Sequence, residues 1–216
     1  MIDISKKEIW DYEIISMAWH EAGHAACALN NFMHVFNVSV MTPKNQTGNT
    51  DWFMYDVKNV EDEELSKILF ICELQTLYAG LIAEKMYYKD ICGSDKFPMH
   101  LKIGSSMDTT DASHIIRKNK LVKPGRQTVL FKKQIQQDAT AFLVEHWDAV
   151  RVIAHRLYKK HRLSFDELKF LLTRKTNHKE FWKEKFKKIK IINDDNTVLP
   201  EQVIKDIILE DVIFSI

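Results

Sequence analysis

The spacing of apolar residues along the chain predicts a mainly helical fold. Apolar positions recur every three to four residues over long stretches, which is the period of a helix with one buried face. In the first stretch these positions are Ile14, Ile15, Met17, Ala18, Ala22, Ala25, Ala26 and Leu29. The predicted helices span residues 12–30, 61–88, 109–119 and 131–161, and a capping box at 164–167 opens a further helix through residue 172.

A short segment between the first two helices has the alternating pattern of a β-strand. Residues 34–41 place β-branched and aromatic side chains at alternate positions, and residues 42–49 have the Pro, Gly and Asn content of a turn. Residues 50–55 are the expected partner strand. The sequence therefore predicts a mainly α (α+β) fold with one small β-sheet.

Two further segments differ in composition from the predicted helices. Residues 90–106 contain Gly93, Pro98 and Gly104 and are expected to form a loop. The chain after Thr176 is rich in charged residues, unlike the apolar pattern that precedes it. We therefore expect one main domain over residues 1–175 and a C-terminal appendage of unknown role over residues 176–216.

The first predicted helix carries the residues that point to chemistry. His20 and His24 are four positions apart, so their imidazoles lie on one face of the helix, one turn apart. Neutral imidazole is a good zinc ligand, and two such rings can bind one ion. Glu21 lies beside that face, where its carboxylate can take a proton from a water in the open position of the metal. His-Glu-x-x-His on a helix is the metallopeptidase signature, with the glutamate as general base.

A glycine inside this helix indicates close packing. Gly23 costs a helix interior roughly 1 kcal/mol relative to alanine. Its presence therefore predicts that another part of the protein approaches the backbone there.

The third metal ligand is not fixed by spacing. A catalytic zinc usually has three protein ligands and one water. The candidates are Asp108, Glu84, His100, His34 and His114. His34 lies at the start of the predicted strand, where exposure to solvent is favoured. Glu84 could equally pair with a lysine. His114 has the position of an ordinary helix-surface residue.

Five segments of the chain together resemble a known peptidase domain. They are His-Glu-Ala-Gly-His-Ala at 20–25, the strand-like 38–43, Tyr-Ala-Gly-Leu-Ile-Ala-Glu at 78–84, Gly-Ser-Ser-Met-Asp-Thr-Thr-Asp-Ala at 104–112, and the helix pair at 141–172. They are similar to the peptidase domain of the FtsH family, the membrane-anchored AAA proteases. The similarity covers about residues 12–175, and its first and fourth segments are the specific ones.

The resemblance implies a helical, zincin-like metallopeptidase fold and a third zinc ligand. In the FtsH family the aspartate of the fourth segment binds zinc, and Asp108 holds that position here. Met107 stands where the family has asparagine, and no Gly-x-x-x-x-Gly-Lys-Ser/Thr loop for ATP phosphates occurs in the sequence. We therefore expect a free-standing peptidase domain that works without ATP, or one that depends on a separate ATPase partner.

Composition and charge narrow the classes of partner. The net charge of +1 gives no reason to expect a nucleic-acid partner, and the basic run at 183–190 is interpreted as a solvated helix face. The start of the chain lacks the features of a signal peptide. The longest apolar stretch, 68–83, is interrupted by Glu73 and Gln75 and predicts no membrane span. These patterns predict a soluble, cytoplasmic protein.

The three cysteines give no sign of a disulfide framework or of a thiolate zinc site. Cys27, Cys72 and Cys92 are odd in number and show no Cys-x-x-Cys spacing. Cys27 and Cys72 fall in apolar helical patterns, so we expect both to be buried.

The combined expectation is an ATP-independent zinc endopeptidase that cleaves unfolded or flexible polypeptide segments. The sheet edge at 38–41 is expected to bind the substrate as an added strand. Two alternatives stay open, namely a catalytically silent regulator or adaptor with this fold and a zinc amidase acting on small peptides. The intact Glu21 argues against the first alternative. The oligomeric state is unknown from the sequence.

Overall fold

The computed structural model describes residues 6–41, 48–53, 60–90, 93, 105–194, 205, 207 and 208. Within these ranges the elements are α1 (Lys6–Asn30), β1 (Val35–Ser39), β2 (Asn49–Trp52), α2 (Glu63–Asp90), α3 (Ser105–Lys118), α4 (Arg126–Glu145), α5 (Trp147–Lys160), β3 (Arg162–Ser164), α6 (Phe165–Lys175) and α7 (Lys179–Asp194). The predicted mainly α (α+β) fold with one small sheet is confirmed. Cys92, most of the predicted turn at 42–49, the end of the predicted strand at 50–55 and most of the predicted loop at 90–106 lie outside the described residues.

Helices α1 and α2 pack against each other at the centre of the molecule. A Cβ atom on Gly23 would lie 2.6 Å from both the carbonyl oxygen of Ala79 and the Cβ of Ala83. Only glycine therefore allows this approach, and the expectation of a close neighbour at Gly23 is confirmed. Cys27 and Cys72 are both buried at this interface, as predicted.

Helix α2 is the longest element and runs through the core. Asp62 caps its start, since its Oδ1 accepts hydrogen bonds from the backbone N–H groups of Glu64 and Leu65, each at 3.0 Å. Of the helices in the described part of the chain, α2 alone has the length and apolar composition to cross a membrane. Of the most apolar stretch of α2, 61% is buried inside the protein. A helix in a protein core can have the same length and apolar composition. The absence of a membrane span stays a prediction.

The three strands form one antiparallel sheet in the order β2-β1-β3. Val38, in the central strand β1, pairs with Thr50 on one side and with Leu163 on the other. Beyond the strand, the backbone N–H of Val40 donates to the carbonyl oxygen of His161. The prediction of an open, substrate-binding edge at 38–41 is therefore wrong, because β3, which is too short to show alternation in the sequence, covers that side. Among the described strands, β2 lies at one edge and β3 at the other.

The predicted helix over residues 131–161 is in fact two helices, α4 and α5, which break at His146. The backbone N–H of His146 still donates to Phe142, but its φ of −108° and ψ of 30° end the helix there. No Gly or Pro marks the break in the sequence. The ring of His146 instead stacks on Phe181 of α7, with the ring centroids 4.4 Å apart, so the break coincides with a tertiary contact.

The starts of helices α3 and α6 can both be compared with the sequence prediction, and the start of α3 also positions a residue of the site. Helix α3 begins at Ser105, four residues before its predicted start, and this places Asp108 in its first turn. At α6 the predicted capping box is confirmed, since the Ser164 hydroxyl accepts from the backbone N–H of Glu167 while the Glu167 carboxylate accepts from the backbone N–H of Ser164.

The described part of the predicted appendage packs into the same hydrophobic core as the rest of the chain. The side chains of Trp182, Phe186 and Ile189 on α7 are buried there, as is that of Ile208. The boundary after residue 175 stays a prediction, but α7 is a core helix.

Candidate metal centre

Helix α1 presents two imidazoles to the groove between α2 and α3. The Nε2 atoms of His20 and His24 lie 3.0 Å apart, and their ring planes are inclined by 77°. His24 is buried, and the side chain of His20 is 12% exposed. The four-residue spacing therefore directs the Nε2 atoms of both rings to one point, as the sequence predicts.

A carboxylate from α3 completes the cluster. The Oδ2 atom of Asp108 lies 3.1 Å from His20 Nε2 and 3.4 Å from His24 Nε2. Together these three side chains offer three donor atoms within 4.8 Å of one another, the only such group in the described part of the chain. Asp108 lies in the first turn of α3, where the positive end of the helix favours a negative side chain.

The other nitrogen of each imidazole is already hydrogen-bonded. His24 Nδ1 lies 2.7 Å from the carbonyl oxygen of Thr76, which can only accept, so Nδ1 carries the proton. His20 Nδ1 lies 3.3 Å from Oε2 of Glu84. Both Nε2 atoms therefore face the point that Asp108 also faces, where they share a proton or can bind a cation. Contacts of this kind fix the tautomer and orientation of metal-binding histidines.

Glu84 is itself held from α1. The Ser16 hydroxyl, one helical turn before His20, donates to Oε1 of Glu84, while Oε2 faces His20. The sequence left Glu84 open as a metal ligand or as the partner of a lysine. The structure instead places it behind His20, on the side opposite Asp108, where it orients the imidazole.

Gly80 leaves space between the two imidazoles in which an ion could lie. A Cβ atom on Gly80 would lie 2.4 Å from His24 Nε2 and 2.8 Å from His20 Nε2. Zinc–nitrogen distances are about 2.0–2.1 Å, so a side chain at position 80 would occupy the space that a shared metal needs. Glycine at this point of α2 keeps that space open, and the residues present therefore fit a metal ion.

The electrostatics of the cluster favour a positive charge at the same point. Burial lowers the pKa of His20, but hydrogen bonds with Asp108 and Glu84 outweigh it and raise that pKa to about 10. Burial raises the pKa of Asp108, yet its hydrogen bonds with His20 and His24 outweigh this and hold the pKa well below its usual range. Three acceptor atoms converge here, so either a proton or a metal cation must separate them.

Glu21 lies beside the cluster and not in it. Its side chain is buried, and its Oε2 accepts a 2.6 Å hydrogen bond from the Thr50 hydroxyl of β2. Trp52 of the same strand lies next to His24, with ring centroids 5.7 Å apart. The edge strand therefore forms one wall of the site.

The remaining candidates for a third ligand do not join the cluster. His34 packs against Phe36 and Phe165, and burial lowers its pKa. His114 is exposed on α3, which confirms the prediction of a helix-surface residue. His100 lies outside the described residues.

Sequence reasoning missed four contributors to the site, namely Ser16, Thr50, Thr76 and Gly80. Gly80 lies within the segment 78–84 that resembles the FtsH family, so the sequence held a signal for it. Thr76 contributes only a backbone carbonyl, which has no sequence signature. Met107, where the family has asparagine, is 71% exposed.

The chain was compared with models of protein families and with curated proteins, and neither comparison found a match.

Proposed function

We propose that the protein is a zinc-dependent peptidase whose metal is held by His20, His24 and Asp108. The observation that carries the proposal is the convergence of His20 Nε2, His24 Nε2 and Asp108 Oδ2, with the Nδ1 atom of each imidazole already hydrogen-bonded. Two imidazoles and one carboxylate form a donor set typical of catalytic zinc, which keeps a fourth position for water or substrate. The fold is mainly α with one small sheet, and we propose that it is the zincin-like one that the resemblance to the FtsH family implies.

Zinc bound there would polarise the scissile carbonyl and lower the pKa of a water from ~15.7 to about 7. The chain's own residues orient the two imidazoles and move the protons. Glu84 and the Thr76 carbonyl hold the two imidazoles by their Nδ1 atoms, and the wall formed by Trp52 limits access of bulk water beside His24. Glycine at position 80 preserves the space for the ion.

Glu21 is the general base. Its carboxylate takes one proton from the attacking water while the water oxygen forms a bond to the carbonyl carbon. The same proton then passes from Glu21 to the nitrogen of the leaving amine as the carbon–nitrogen bond breaks. A positioned acid or base of this kind contributes about 10²–10⁴-fold to the rate.

The substrate is an extended polypeptide that pairs with β2. Among the described strands β2 lies at one edge of the sheet, and its residues Thr50 and Trp52 face Glu21 and His24. An added strand can use the backbone groups of such an edge, with the scissile bond carried past the metal. The segment 38–41 cannot bind the substrate in this way, because β3 and His161 already pair with it.

No nucleotide-binding loop of the Walker type occurs in the sequence, so the proposed activity needs no ATP. It acts in the cytoplasm on unfolded or flexible segments, with neither nucleic acid nor a membrane span involved.

The test is metal analysis of the purified protein combined with digestion of an unbiased library of unstructured peptides. One zinc per chain and cleavage within the peptides are expected. Zinc without cleavage of any peptide would instead favour a regulator or adaptor, and cleavage restricted to very short peptides would favour an amidase. Iron in place of zinc would contradict the proposal, since two histidines and one carboxylate also suit ferrous oxygenases.

A further inference from the structure

The carboxylate of Glu21 is held by a residue from a different element. The Thr50 hydroxyl on β2 donates to Glu21 Oε2 at 2.6 Å, and Thr50 is 6% exposed. The same hydroxyl oxygen lies 3.2 Å from the backbone oxygen of Glu21. A buried hydrogen bond to a charged group is among the stronger ones in proteins.

Gly48, one residue before β2, lies next to the other carboxylate oxygen. A Cβ atom on Gly48 would lie 2.8 Å from Glu21 Oε1 and 2.5 Å from Met17 Sδ. Residues two apart along an extended chain face the same side. Position 48 therefore leaves space for the carboxylate because it has no side chain, and position 50 holds the carboxylate by a hydrogen bond.

This arrangement limits the freedom of a long side chain. A glutamate on a helix surface samples several rotamers, and ordering such a side chain costs conformational entropy. The Thr50 bond occupies Oε2, which leaves Oε1 as the atom that can exchange a proton with a reacting water. Since β2 is also the proposed substrate-binding edge, a bound peptide would order Thr50 and, through it, the base.

We propose that Thr50 is a positioning residue for Glu21, linking the edge strand that binds the substrate to the carboxylate that moves the proton. The inference rests on the proposed hydrolytic function. In a purely structural role, Thr50 would only stabilise β2, since threonine is a good strand former. Valine separates the two roles, since it keeps the β-branched shape and removes only the hydroxyl.

The test compares Thr50→Val and Thr50→Ser with the wild type in the zinc-loaded protein. For cleavage of an unstructured peptide, we expect Thr50→Val to lower kcat about 10-fold or more with KM nearly unchanged, as loss of a hydrogen bond to a charged group implies. Thr50→Ser keeps a hydroxyl and is expected to restore most of kcat. In the Glu21→Gln background, Thr50→Val should cause little further loss, because the two residues act as one unit.

The matched control is Thr173→Val on α6, which removes a hydroxyl bonded only within its own helix, to the carbonyl of Lys169. It should leave kcat and KM at their wild-type values. Thermal unfolding of each variant reports whether the loss in Thr50→Val is a loss of folding.

A second readout does not depend on turnover. Acetohydroxamate binds a metal through two oxygens and passes its hydroxyl proton to the neighbouring base. Calorimetric titration of the zinc-loaded protein should show about 10-fold weaker binding in Thr50→Val, wild-type binding in Thr50→Ser and unchanged zinc content in both.

These outcomes separate the inference from the function on which it rests. If the wild type cleaves peptides but Thr50→Val changes neither kcat nor acetohydroxamate affinity, the positioning role is overturned while the hydrolytic function stands. If the wild type cleaves nothing but Thr50→Val still weakens acetohydroxamate binding, hydrolysis fails and the positioning role stands. Equal losses in Thr50→Val and Thr50→Ser would also overturn the role of the hydroxyl.

Discussion

Gly80 on α2 lies against the imidazole of His24, so that a Cβ atom on Gly80 would be 2.4 Å from His24 Nε2. At Gly23, by contrast, an added Cβ would meet the backbone oxygen of Ala79 at 2.6 Å. A side-chain tip can swing away from such a clash, whereas packed helix backbones cannot. The two glycines on facing helices therefore have different surroundings, one beside the candidate metal site and one in the packing of the core.

We predict that Gly80→Ala abolishes zinc binding and leaves the metal-free fold intact. The imidazoles would move off their common point, while alanine improves the helix by roughly 1 kcal/mol relative to glycine. Gly23→Ala is the matched control and should lower the free energy of unfolding with or without metal. Zinc titration and chemical denaturation of both variants check this, and full zinc affinity in Gly80→Ala would show that the ion does not lie at this point.

A second prediction ranks two carboxylates by their effect on zinc affinity. Glu84→Ala removes the partner of His20 Nδ1 and should weaken zinc binding about 10–100-fold. Asp108→Ala removes a ligand and should weaken it more. Asp111→Ala, an exposed carboxylate one turn further along α3, should have no effect. Competition with a chelator of known affinity measures the zinc affinity of all three variants. A larger loss of affinity in Glu84→Ala than in Asp108→Ala would indicate that Glu84, and not Asp108, is the ligand.

The pH dependence of stability offers a third test, at Glu73. Burial and, to a lesser extent, the charge of Asp111 raise the pKa of this carboxyl to about 7. The folded-state pKa of Glu73 lies above its ordinary value of 4.5, so between these two pH values the folded chain holds a proton that the unfolded chain has lost. The contribution of Glu73 to stability is therefore lost as the pH rises from about 4.5 to 7.

Glu73→Gln mimics the protonated form at every pH. Relative to the wild type, it should raise the free energy of unfolding at pH 8 and change it little at pH 4.5. Urea denaturation of the metal-free protein at both values checks this without interference from zinc release. The same difference at both pH values would remove Glu73 as the titrating group.

A fourth prediction concerns what the protein can attack. Opening a stable domain costs about 5–15 kcal/mol, and the sequence has no nucleotide loop with which to supply that work. We expect cleavage of a destabilised substrate domain, no cleavage of its native form and no effect of ATP. Incubation of both forms with and without ATP checks this. Equal degradation of the two forms, or strict dependence on ATP, would argue against a peptidase that works without a motor.

The sequence predicts those parts of the site that depend on local spacing. The convergence of His20 and His24 follows from their four-residue separation on a helix. Asp108 lies 88 residues from His20, so its approach depends on how α1 and α3 both pack against α2. Spacing left it as one of five candidates, and only the resemblance to the FtsH family singled it out.

Features set by tertiary packing were not predictable in the same way. Thr50 reaches Glu21 only because β2 pairs with β1 in one register. Residues 38–41 are not at a sheet edge because β3 pairs with β1 on the other side. The helix break at His146 coincides with packing against Phe181, 35 positions later in the sequence. Helix periodicity reports a buried face but not the partner that covers it.

The most direct test of the central claim is the turnover and zinc content of Glu21→Gln beside the wild type. The account predicts one zinc per chain in both, since Glu21 is not a ligand. It also predicts at least a ~10²-fold lower kcat in the variant on an unstructured peptide, the usual scale for a positioned general base. Near-native turnover in Glu21→Gln, or loss of zinc from it, would contradict the account.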